Sequence, residues 1–240
     1  ALIKYKYVLH VHSTATIANA ISQSSESDLK KYLDEDFIFV PYCRPGFTLT
    51  MEIKKLILPS TNILILENHG LIVAGDDIED TYKLLLKIHK KLDLIRNEKL
   101  AFDYLEKITN IDGYIHKNTD KYKLFSTQNE KLFSLFPKSF YPDHVIFLGP
   151  GIPTFLEEKE ANEFIQNLKR KNMNLPPYLI LKYKGLFENT LAIPAAKEMI
   201  DCFLEVLLRI DLSKSLKFLS SLQESELLNW DIEIYRQSIN

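Results

Sequence analysis

Two apolar runs, Asn62-Ile-Leu-Ile-Leu-Glu67 and Leu71-Ile-Val-Ala-Gly75, flank Asn68-His69-Gly70, and this arrangement constrains the fold more than any other feature of the chain. Each run has the length and branching of a strand, and the first is of the continuously apolar kind that is buried on both faces. Gly70 between them permits close backbone approach. Asp76-Asp77 offers a cap for a long helix, expected from Ile78 to about Leu105, in which Tyr82, Leu85, Leu86, His89, Leu92 and Ile95 recur at helical spacing and should face the core. His89 then reads as a packed or hydrogen-bonded residue. Upstream, Tyr5 to His12 reads as a strand, Ser13 or Thr14 as the cap of a helix Ala15 to Ser22, Ser22 to Glu35 as a polar stretch, Phe37 to Pro41 as a strand and Thr48 to Leu58 as a helix. Strand and helix alternate, which predicts an α/β fold.

A polar connector, Ile108 to Ser139 with Asp112-Gly113 inside it, separates this half from a weaker recurrence of the same pattern. Asp143-His-Val-Ile-Phe-Leu-Gly-Pro150 parallels Asp36 to Tyr42, and Tyr178-Leu-Ile-Leu-Lys-Tyr-Lys-Gly185-Leu186 parallels Ile63 to Leu71. A helix follows in both halves, from Ile78 and from Pro194 to Arg209. Such self-similarity suggests two related α/β layers, the alternative being the shared periodicity of any βα unit. Lys184 stands in the second half where His69 stands in the first, so one metal site is expected, in the first half.

The chemistry concentrates in three histidines. His10 and His12 are two apart at the end of a strand, so they point to one face and can grip one ion together, with His69 arriving from a neighbouring strand. Three neutral imidazoles with a fourth position open make the tetrahedral site of a catalytic zinc. An isolated His-x-His is more often two hydrogen-bonded residues; here the pair sits at a strand-to-helix corner, where α/β sheets carry their sites, and the strand at 62–67 also ends at a His. A cation with free positions can take the hydroxyl and carbonyl oxygens of an α-hydroxy ketone and hold the enediolate formed as a carbon–carbon bond breaks.

His10-Val-His12-Ser13, Phe39-Val-Pro-Tyr-Cys-Arg44-Pro45-Gly46-Phe47 and Glu67-Asn68-His69-Gly70-Leu-Ile-Val-Ala-Gly75-Asp76 together resemble the successive motifs of the class II aldolase/adducin family. The Arg-Pro-Gly-Phe form, Pro142-Asp143-His144 and Asn229-Trp230-Asp231-Ile-Glu233-Ile-Tyr235-Arg236 resemble its longer, rhamnulose-phosphate-aldolase-like branch. The resemblance implies a class II aldolase-like layered sheet and helices over residues 1–115, N-terminally truncated, followed by a second, smaller α/β unit over 116–240 as a degenerate repeat. It further implies a metal-dependent lyase of carbohydrate metabolism acting on a sugar or sugar phosphate, a divalent ion, foremost Zn2+, on His10, His12 and His69, and a homo-oligomer. A catalytically impaired or assembly role, as in adducin-like members, and an epimerase, decarboxylase or dehydratase relative are the alternatives.

Family members carry a carboxylate and a glycine-rich, serine-bearing phosphate loop upstream of the His-x-His strand, whereas His10 stands ten residues from the start and no Gly-Asn-x-Ser loop occurs. Metal binding with weak turnover is the resulting expectation. Glu67 is the candidate base if the strand continues so that 67 and 69 share a side; orienting a ligand histidine or closing a salt bridge are its other roles. Arg44, presented by a Pro-Gly turn, suits a carboxylate or phosphate of the substrate, or an acidic residue of another subunit. Trp230 and Tyr235 read as packing anchors.

Composition closes off other classes. A net charge of -2 provides no broad attraction for nucleic acid or an anionic membrane, and no apolar run approaches the length of a membrane span. Cys43 and Cys202 make no disulfide framework and the N-terminus shows no secretory pattern, so a cytoplasmic setting is expected. At 240 residues and 46% hydrophobic content, one large core or two small ones are within reach.

Overall fold

The computed structural model describes residues 2–103 and 110–229, so the Trp230 to Arg236 segment and its proposed anchors lie outside the described residues. The chain divides into two compact units, one of Ala1–Arg96, Phe140–Pro142 and Leu208–Leu219, the other of Asn97–Ser139, Asp143–Leu207 and Ser220–Asn240. Both are mixed α/β, each built on a four-stranded sheet. Among the described residues no helix is long and apolar enough to cross a membrane.

The first unit runs β1 (Tyr7–Val11), α1 (Thr14–Ala20), α2 (Ser25–Tyr32), β2 (Ile38–Val40), α3 (Phe47–Leu56), β3 (Ile63–Leu66), β4 (Gly70–Gly75) and α4 (Ile78–Leu92). Its sheet has the order β1-β4-β3-β2, with β2 parallel to β3 and the other pairs antiparallel. On one face Ile63, Ile65, Leu71 and Val73 pack with Ala15 and Ala20 of α1 and Ile88 and Leu92 of α4; on the other, Val40, Leu64, Leu66 and Ile72 pack with Ile53 of α3. β3 is thus buried on both sides, as its unbroken apolar run requires.

Three details of this half depart from expectation. The polar stretch contains α2, anchored by the apolar Leu29 and Leu33 and laced by Lys30–Glu26 at 2.7 Å and Lys31–Asp28 at 2.6 Å. α4 stops at Leu92 because the following residues are captured elsewhere: Asp93 pairs with Arg209, and Arg96 donates to the carbonyls of Leu94 and Arg209 and to Asn19. Its buried stripe is Thr81, Leu84, Leu85, Ile88 and Leu92, so Tyr82, Leu86 and Ile95 stay exposed. His89 meets the Ser13 hydroxyl at 3.0 Å, the hydrogen-bonded role expected of it.

The second unit runs β5 (Tyr114–His116), α5 (Glu130–Phe133), α6 (Pro142–Leu148), β6 (Thr154–Phe155), α7 (Glu158–Arg170), β7 (Tyr178–Leu181), β8 (Gly185–Asn189), α8 (Pro194–Arg209) and α9 (Ser221–Leu228), some elements being shared at its borders. Its sheet repeats the first in order and sense, β5-β8-β7-β6 with β6 parallel to β7 and the rest antiparallel. The strand–turn–strand aligned by sequence occupies the same place in both. The other aligned pair does not hold: Asp143 to Leu148 is helix, and the counterpart of β2 is the two-residue β6. Pro142 can open a helix because its missing N–H would have no partner there, and Gly149, at φ 91°, closes it. A short apolar run between such signals has no periodicity that separates strand from helix. The connector also hides β5, whose three residues pair with β8.

His144 lies fully inside α6's packing, its ring edge-on to Phe203 at 4.6 Å, and burial pushes its pKa down to about 3. The folded chain therefore refuses a proton that the unfolded chain accepts below about pH 6.5, so the stability present above that pH drains away as the pH falls toward 3. Urea midpoints measured from pH 7 to 4 should fall less steeply for His144→Leu than for the parent; equal slopes would contradict this.

Candidate metal centre

The antiparallel register of β1 on β4 sets His10 opposite Ile72, and partners across a sheet share a face. That face is the one α3 covers, while Leu9 and Val11 turn to the opposite core with α1 and α4. His10, on the edge strand β1, and His12, one residue past its end, are exposed; His69, in the turn from β3 to β4, is 7% exposed. Because Val40 aligns with Leu66, Leu66 with Gly70 and Leu71 with Val11, the residues after β1, β2 and β3 gather at one end of the sheet. The three motifs, more than thirty residues apart in places, meet there.

The imidazoles converge through their Nε2 atoms. His12 Nε2 is 3.2 Å from His10 Nε2 and 3.1 Å from His69 Nε2, and the ligand atoms of all three fall within 4.8 Å of one another. Among the described residues this is the one group of three such side chains able to share an ion. His10 Nδ1 lies 3.1 Å from the carbonyl of Leu71, which can only accept, so Nδ1 carries the proton and Nε2 presents its lone pair to the cluster. Two imidazole ligands at about 2.0–2.1 Å on a tetrahedral ion stand roughly 3.3 Å apart, close to the spacing here. The donor set therefore fits a divalent transition ion.

Gly70 is what allows β4 to pass so close. A Cβ there would collide with the Val11 carbonyl oxygen and lie 3.2 Å from His12 Cα. Ser13, directly after the ligand pair, caps α1 through its hydroxyl on Thr16 N–H at 3.2 Å, which turns the chain away from the cluster.

Glu67 is not a member of the cluster. β3 ends at Leu66 and Asn68 adopts φ 53°, so the alternation that would put 67 and 69 on one side does not apply. Its carboxylate, 6% exposed, accepts from Tyr42 N–H at 2.9 Å and from the Lys217 ammonium at 2.5 Å. Arg44 stands exposed between β2 and α3, ahead of Gly46 at φ 93°. Cys43 is half-buried, and burial raises its thiol pKa. Sequence reading missed Lys217 altogether, since nothing local marks a lysine 150 residues from its partner, and it missed the role of Asn68, which sits inside a motif it had noticed.

Residues 3–94 match the family model described as class II aldolase and adducin N-terminal domain. The matched stretch lies within the first unit and covers less than half of the chain. In Bacillus subtilis (strain 168) an uncharacterized oxidoreductase, YuxG, is 28% identical over 102 residues, 42% of this chain. The matched stretch spans only 15% of that relative's length. The N-terminal class II aldolase domain of a conserved protein from Thermoplasma acidophilum aligns with 26% identity and a TM-score of 0.36, over 38% of this chain and 42% of that one. His10, His12, Arg44, Glu67 and His69 all fall inside the family-matched stretch; Lys217 falls outside it.

Gly70→Ala is expected to push β4 from β1, lowering unfolding free energy by about 1–3 kcal/mol. Denaturant unfolding measures it; an alanine variant as stable as the parent would show that the close approach is dispensable.

Proposed function

We propose that this chain is a metal-dependent, aldolase-like lyase that acts on a ketose or ketose phosphate, with a divalent ion, foremost Zn2+, on His10, His12 and His69. The observation that carries the reading is the convergence of three imidazole nitrogens, one with its tautomer fixed by the Leu71 carbonyl, within a class II aldolase domain. When bound, the ion supplies a Lewis acid for the negative charge that builds on the ketose oxygens as the carbon–carbon bond breaks. The chain's residues do the rest. His10, on the edge strand, and His12, one residue past its end, leave one side of the centre open to a small molecule, while buried His69 anchors the other. Arg44, at the same end of the sheet, is the candidate for a substrate phosphate or carboxylate.

Glu67 takes a positioning role here. A carboxylate that already accepts from a backbone N–H and from an ammonium is a poor general base. That observation also supports a second reading, a chain that binds metal with impaired turnover or serves assembly in the adducin manner. The longer rhamnulose-phosphate-aldolase-like branch is the proposed affiliation, on Arg44 to Phe47 and Pro142 to His144.

Metal analysis followed by an aldol-cleavage screen of ketoses and ketose 1-phosphates decides between them. The lyase reading expects one equivalent of zinc and cleavage that falls at least about a hundredfold with chelator or in His69→Ala, the several kcal/mol a Lewis acid contributes. Stoichiometric zinc with no cleavage supports the second reading. Cleavage indifferent to chelator refutes the metal role.

A further inference from the structure

The turn that carries His69 is gripped by residues from far along the chain. Asn68, 2% exposed, donates through its side-chain amide to the Phe140 carbonyl at 2.8 Å and to the Lys217 carbonyl at 3.0 Å. Lys217 in turn places its ammonium on Glu67. One residue thus holds the two positions immediately before the ligand, one by backbone and one by side chain. Phe218 packs edge-on against Phe140 at 5.2 Å, tying the two partners of Asn68 to each other.

The same segment also holds the helix that follows His12. Lys217 N–H donates to the Ile21 carbonyl at 2.6 Å, Gln23 N–H to the Ser215 carbonyl at 2.9 Å, and Leu216 bridges Ser22. α1 starts one residue after Ser13, so the segment reaches both halves of the triad, His12 through α1 and His69 through its turn. In the second unit the matching turn reads Lys182-Tyr183-Lys184, with Tyr183 at φ 64° and 37% exposed. There the ligand position is a lysine and the buried amide is missing too.

We infer that Leu208–Leu219 is a positioning strap for the metal centre, in which Lys217 and Asn68 fix the turn that aims His69 at His10 and His12; the inference rests on the triad being a metal site. The strap lies more than a hundred residues beyond the family-matched stretch, so the ligand geometry of the class II aldolase domain depends on chain that the match does not contain. Groups hydrogen-bonded directly to a metal ligand typically contribute 10- to 100-fold in metal affinity, and the strap acts one step behind them, through the backbone of the turn.

The test uses the full chain and two probes, zinc competition against a chromogenic chelator and the visible absorption of bound Co2+. Lys217→Met should weaken zinc binding about 10- to 100-fold and alter the Co2+ spectrum, with Lys217→Arg restoring most of both. Asn68→Gly keeps the positive φ accessible while deleting both amide bonds, and should lose affinity with far-UV circular dichroism unchanged. If Asn68→Gly does not fold, Lys217→Met decides, because its side chain is 43% exposed at the edge of the unit. Parent-like affinity and spectrum in folded Lys217→Met overturn the strap while leaving the metal reading intact. A parent chain that takes up neither ion overturns the metal reading and the strap with it.

Discussion

The antiparallel contact between β1 and β4 decides where every candidate ligand points. Leu9 and Val11 alternate with His10 and His12, and the core with α1 and α4 claims the first pair. A slip of one residue would bury both histidines and expose the leucine and valine. Burying such side chains contributes roughly 1.5–3 kcal/mol each, while imidazoles facing one another without an ion offer nothing comparable. Hydrophobic packing therefore sets the register and the ligands inherit it. Strand packing alone thus orders the candidate ligands.

The two units show what the topology demands and what it leaves free. Strand order, strand sense and the positive-φ residue in the central turn are common to both. Side chains at matching registers are not. Ile63 opposite Val73 in the first sheet is a core pair, whereas Tyr178 opposite Glu188 in the second is polar, the tyrosine hydroxyl 3.2 Å from a carboxylate that also meets Lys117 and Lys197. His116, opposite Phe187, holds the register of His10 opposite Ile72, yet its Nε2–H donates to the Lys184 carbonyl at 2.6 Å and its ring stacks on Phe187. A nitrogen that donates to a carbonyl is unavailable to a cation.

Legibility in the sequence followed the range of the interaction. The strands of β3 and β4, the cap at Asp77, the His-x-His at the end of β1 and the turn at Gly70 are local patterns, and each could be read from a dozen residues. The parallel between Asp143–Pro150 and Asp36–Tyr42 fails because the seven residues of α6 are too few to display a period. The buried stripe of α4 lay one position away from the expected one, and the helix ended early, because Arg209 and the Leu208 carbonyl draw off the residues after Leu92. Glu67 looked like a base while its partner was unknown. An ion pair between residues 150 apart leaves no trace in either neighbourhood.

The residue before His69 shows how such distant contacts select an amino acid. Both central turns place a non-glycine residue in the left-handed region, Asn68 in one and Tyr183 in the other, at a conformational cost of about 1–2 kcal/mol for an L residue. Conformation alone cannot explain asparagine, since glycine would adopt this φ without strain and tyrosine adopts it in the sister turn. What asparagine adds is a short amide that meets two carbonyls at once, those of Phe140 and Lys217, in a place 2% exposed where an unpaired carbonyl would be costly. Tyr183 is 37% exposed and its turn carries no ligand. The amide thus belongs to the turn that carries the candidate ligand His69, and the strain at Asn68 is the local sign of a constraint imposed from residues 140 and 217.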